Sequence, residues 1–166
     1  MDKMNDGFKI GGTFSVDCYG PDGTLKWTDI AKNIVVNVGL DHILDVVLHG
    51  TTPVNPWYVG LKNAGSPVAG DTLASHVSWT ENANYTGTRP AYVEVAASSQ
   101  SVTNAASKAS FAINTNAQTI AGAFLCSVDS GTSGTLLCVA DFTGGNKTAD
   151  SGDTLDVTYV IGAADA

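Results

Sequence analysis

Glutamate is almost missing from this sequence: Glu81 and Glu94 are the only two in 166 residues. Long helices are usually built from Glu, Lys, Leu and Arg, so a helical bundle is disfavoured from the outset. Cations are scarce too, eight Lys and Arg against sixteen acids, a net charge of -8. They are scattered, and no basic cluster exists to neutralise a run of phosphates, which excludes direct nucleic-acid binding of the usual kind. The same scarcity argues against adsorption to an anionic membrane. No apolar run approaches the roughly 20 residues that span a bilayer. The start, MDKMNDGFK, has no apolar core of a secretion signal, so synthesis in the cytoplasm without export is expected. Three cysteines, an odd number, make a poor disulfide framework.

What is present is apolar and glycine-rich. Hydrophobic residues make up 43% and charged residues only 14%, too apolar for a disordered chain, and the length suits one domain. Phe14, Val16 and Cys18 alternate over Thr13–Tyr19, the period of a strand. Gly20-Pro21-Asp22-Gly23 then signals a tight turn, with Leu25 and Trp27 opening the return strand. Asn33–Val38 reads as a further β-branched strand. In Gly39–Gly50, Leu40, Ile43, Leu44, Val47 and Leu48 recur at spacings of three and four. That predicts a short helix over 39–49, capped by Asn37, ended by Gly50, its apolar stripe lying against the sheet or across its open end.

Trp57–Leu61 reads as a strand, and Asp71 as the cap of one helical turn. Pro90–Ala97, Ser101–Thr103, Ser110–Asn114, Thr119–Val128, Thr135–Phe142 and Thr154–Ile161 complete the strands, broken by Gly144-Gly145-Asn146 and Ser151-Gly152-Asp153. Short strands at this spacing predict an all-β domain, a β-sandwich of jelly-roll-like kind, with that single helix. The domain is expected over 13–162, between a flexible N-terminal arm at 1–12 and a tail at 163–166. The arm is the segment expected to order on a partner, with simple fraying the other reading.

Catalytic signatures are missing: no nucleophile elbow, phosphate loop, dinucleotide fingerprint or metalloprotease pair occurs. His42, Asp45 and His49 could share a helix face, but zinc needs three well-placed ligands, and the flank of a short helix explains them as well. Asp150, Asp153 and Asp156 surround a turn without a calcium-loop pattern, so turn and capping duty is the preferred reading. Neither a metal nor a cofactor is expected. In a hairpin around Asp129–Gly134, Cys126 and Cys138 would fall opposite each other on one face. Two small buried hydrophobes are the preferred reading, a cross-strand disulfide the alternative. Trp79, Tyr85, Arg89 and Tyr92 concentrate interface-prone side chains in a Gly/Asn/Thr-rich stretch, the candidate partner-binding set. The competing reading puts Trp79 and Tyr92 in the core and pairs Arg89 with an acid.

Trp27–Gly50 (WTDIAKNIVVNVGLDHILDVVLHG), Trp57-Tyr58-Val59-Gly60-Leu61, Asp71–His76 with Trp79-Thr80-Glu81, Arg89-Pro90-Ala91, and Ser151–Tyr159 together resemble small β-rich structural proteins of tailed-bacteriophage virions. The resemblance runs from about residue 13 to 161 and carries no catalytic motif. It implies a non-enzymatic virion component that forms homo-oligomers. The first expectation is a head decoration or cement protein on the capsid surface, bound to the major capsid protein or another virion protein. A tail, neck or fibre component with protein or host-glycan binding is the alternative, and a carbohydrate-active enzyme the more distant one.

Overall fold

The computed structural model describes residues 7–165. Among them the chain forms, in order, β1 (Phe8–Tyr19), β2 (Leu25–Val35), α1 (Asn37–Leu48), β3 (Trp57–Lys62), β4 (Glu81–Asn82), β5 (Ala91–Tyr92) and β6 (Ser101–Thr103). There follow β7 (Ala109–Ala112), β8 (Gln118–Ile120), β9 (Gly122–Cys126), β10 (Leu136–Asp141), β11 (Lys147–Ala149) and β12 (Thr154–Asp165). The predicted all-β sandwich with one short helix is the fold observed.

The layers follow from the pairing. β1 lies between β2 and β12, and β12 carries β7 along one half and β6 along the other. The second layer runs β10-β9-β3, with β4 and β5 on opposite ends of β3. One strand belongs to both: Leu25–Lys32 of β2 pair with β1, whereas Asn33–Val35 pair with β10. β2 is thus a corner where the sheet folds over itself, a known way to close a sandwich. Asn33 holds the corner, since its side chain accepts from Gly12 N–H and donates to the Tyr159 hydroxyl at 2.9 Å. β8 and β11 form a small ladder of their own.

Alternation in β1 and β12 places Phe14, Val16, Cys18, Leu155, Val157 and Tyr159 on the inner face, opposite Val59, Leu61, Ala123, Leu125, Cys138 and Ala140. Phe14 stacks on Tyr159 with ring centres 4.1 Å apart. β9 and β10 are different, because both their faces are covered. Phe124, Cys126, Leu136 and Val139 pack outward against Val36, Leu73 and Trp79. Double burial explains why these two strands read as apolar runs rather than alternating ones. Lys62, at the end of β3, is fully buried; its ammonium donates to the carbonyls of Asn63 (2.9 Å) and Gly65 (2.6 Å) and pairs with Asp141.

Several expectations are corrected. Asn33–Val38 is no separate strand: β2 runs through to Val35 and the helix begins at Asn37. The helix has no side-chain cap, although Gly50, with φ +77°, does end it as expected. Asp71 caps no helical turn; its carboxylate accepts from Val68 N–H and from the Trp79 indole, both at 2.9 Å. Pro90–Ala97 contributes only the two residues of β5. Residues 8–12, assigned to the arm, are strand paired with 161–165, so the tail assigned from 163 is strand through Asp165 as well. Residues 1–6 and 166 lie outside the described range.

The helix is also turned differently from the prediction. Only Gly39 is fully buried, because α1 crosses β10 so closely that a Cβ there would collide with the Leu137 carbonyl. That approach aims Ile43 at the core and swings Leu40, Leu44, Val47 and Leu48 outward.

Candidate interaction surfaces

Trp79, Tyr85, Arg89 and Tyr92, the predicted partner-binding set, are all buried. Trp79 lies on the outer side of the second layer, stacked on His76 at 3.9 Å and packed against Phe124. Tyr85 meets Phe111 edge-on, and the Tyr92 hydroxyl donates to the Tyr159 carbonyl at 3.2 Å. Arg89 forms a bidentate pair with Glu81 (2.8 and 2.6 Å), donates to the carbonyls of Val128 and Gly131, and stands over the Phe124 ring. Burial works against the guanidinium's charge, but the Glu81 carboxylate outweighs it and raises its pKa. These side chains are structural ties, as the competing reading had it, and present no aromatic platform to a partner. Tyr85, Arg89 and Glu81 do edge a polar cleft with Asp129, Ser130 and Gly131. Within it Glu81 is engaged by Arg89 and by the Tyr85 hydroxyl at 3.4 Å.

The other candidates are also accounted for. His42 faces Trp57 edge-on at 5.3 Å, while His76 stacks elsewhere, on Trp79. Among the described residues no group of three His, Cys, Asp or Glu is placed to hold a metal ion. Asp150 and Asp153 are met by the chain's own cation, Lys26, at 3.4 and 2.6 Å. Cys126 and Cys138 do not face each other. An irregularity between Leu136 and Cys138 pairs Cys126 with Leu136 and Cys138 with Leu125, sending the sulfurs to opposite faces. All three cysteines are free and buried.

The open surface lies at the helix end of the sandwich, which sequence reasoning had treated as interior. Leu40, Leu44, Val47 and Leu48 are 39%, 53%, 72% and 79% exposed. Beside them a hollow of about 210 Å³ is lined by His42, Ile43, Pro53, Val54, Trp57 and Ile161. A second apolar hollow, bounded by Ile10, Val102, Ile161 and Ala163, continues past Ile43. The 3–4 spacing was the right signal for this surface; its direction could not be known before Gly39 was seen to set the helix's rotation.

The domain is thus a β-sandwich whose candidate side chains Trp79, Tyr85, Arg89 and Tyr92 are tied inward and whose helix α1 is bare on its outer side. Residues 35–161 match the family described as podophage GP4 fiber I protein gp80, and the chain belongs to that family. It is a bacteriophage virion structural protein, as the resemblance implied. No curated protein matches the chain.

Proposed function

We propose that the chain is a fibre component of a podophage virion, contributing a rigid domain and contact surfaces without a catalytic step. The observation that carries this reading is the fibre-protein family match over residues 35–161. Head decoration, the first expectation from the sequence, gives way to the fibre alternative on that ground. The non-enzymatic part is supported by the tied-up Glu81 and by the separation of His42 from His76. Its partners are other virion proteins. Host-glycan binding through Trp79, Tyr85 and Tyr92 is not part of the proposal, because those rings are packed inside.

Gold-labelled antibody against the chain, imaged on the source phage by electron microscopy, tests the assignment. Label confined to fibres at low copy is the expected result. Dense label across the head would overturn it and restore the decoration reading.

A further inference from the structure

α1 is apolar around more of its circumference than the sandwich covers. Gly39, Ile43 and Val46 face the sheet side, Asp41 and Asp45 point to solvent, and between them runs the stripe Leu40, Leu44, Val47, Leu48. The helix has little else to hold it. It lacks a side-chain cap, an acid in its first turn and a base in its last. Twelve residues on their own make a marginal helix in water, so such an element is ordinarily stabilised by covering its apolar side. No described residue covers this one.

From their fractional exposures the four side chains present on the order of 450 Å², the size of the largest, often functional, patch on an ordinary monomer. That is more than half of the roughly 800 Å² each partner of a stable complex buries, before the adjoining hollows are counted.

We propose that this face joins copies of the chain to one another, with α1 packed on α1 of a neighbour. A stripe spaced by three and four is complementary to another such stripe, because the ridges of one fit the grooves of the other. The surface also carries its own counterpart: exposed Val47 of the stripe lines the rim of a hollow of a size to receive an aliphatic side chain. Knob and hole on one molecule are what a self-complementary contact requires. A partner recognised by charge is the wrong chemistry for four uncharged side chains. Residues 1–6, MDKMND, have three charges among six and are equally unsuited to cover the stripe. This contact rests on the surface alone and stands whether the chain is in a fibre or on a head.

The test is sedimentation velocity of the full chain over a wide concentration range, wild type beside Leu44→Asp and Leu48→Asp, with circular dichroism to verify folding. Both positions are exposed, so the substitutions leave the sandwich intact. Concentration-dependent oligomers are expected for the wild type, weakened at least about tenfold in each variant. As a second measurement, oxidation of Leu48→Cys yields covalent dimers, whereas Thr24→Cys, at the far end of the sandwich, yields none. A wild type that stays monomeric overturns the proposal and assigns the stripe to another virion protein or to residues 1–6. Oligomers unaffected by both Asp variants and not trapped by Leu48→Cys overturn it as well.

Discussion

Gly39 shows how much one missing methyl group decides. Its hydrogen lets α1 touch the β10 backbone at Leu137, and that contact sets the rotation of the whole helix. Gly39→Ala would gain about 1 kcal/mol of helix propensity. The new Cβ would meet a backbone carbonyl that cannot move aside, a strain of about 1–3 kcal/mol. The expected net result is a modest loss of stability and a lower urea midpoint, together with a displaced α1. Arg89 is the second decisive residue. Arg89→Met leaves the half-buried Glu81 carboxylate without its partner, at a cost of about 3 kcal/mol. Adding Glu81→Gln should recover part of it, which a double-mutant cycle in denaturant would measure.

Among the elements, β2 carries the greatest responsibility, because among the described strands it alone is shared by both layers. Asn33→Ala removes the acceptor for Gly12 N–H and the donor to Tyr159. A loss of about 2 kcal/mol is expected, with hydrogen exchange accelerated first in residues 33–35. The turn of the β1–β2 hairpin and the strands next to it were legible in the sequence, since alternation at Phe14, Val16 and Cys18 and the Gly20–Gly23 turn are local signals; residues 8–12 of β1 and the run of β2 through Val35 were not. The helix was legible in extent but not in direction, for glycine at position 39 leaves no mark in a hydrophobic pattern. The burial of Trp79 and Arg89 was illegible for another reason. Their partners Asp71, Glu81, Phe124 and Val128 are brought to them by the fold, and an aromatic-rich polar stretch reads alike whether it faces in or out.

For the molecule as a whole, the buried acids of high pKa predict an alkaline limit. Burial and the nearby Asp153 push the Cys18 thiol up to about 12, and burial pushes Cys138 to about 11. Burial also raises Cys126, Tyr85, Tyr92 and Tyr159. Unfolding frees these groups to ionise at their ordinary values, from 9.0 for cysteine upward. Their stabilising contribution is therefore complete below that pH and is lost as pH rises toward 12. Melting temperatures should fall steadily over that window. The opposite holds for Asp17 and Asp29. Burial alone would raise them, but bonds from Lys108 and Thr28, and from Gly144 and Lys147, prevail and hold both below 3.8. Stability from these pairs is present above that value and disappears as pH falls beneath it, which acid melts would show. One last property belongs to the terminal rungs of the β1–β12 ladder. Phe8 pairs with Asp165, so the described chain enters and leaves the sandwich side by side. Tension between those two points would open β1 from β12 one rung at a time, as a zipper parts. A pull passed along the strands, from one end of the sandwich to the other, would instead strain all the rungs together. Force spectroscopy is therefore expected to open the domain at lower force when it is held at Phe8 and Asp165 than when it is loaded along its strands.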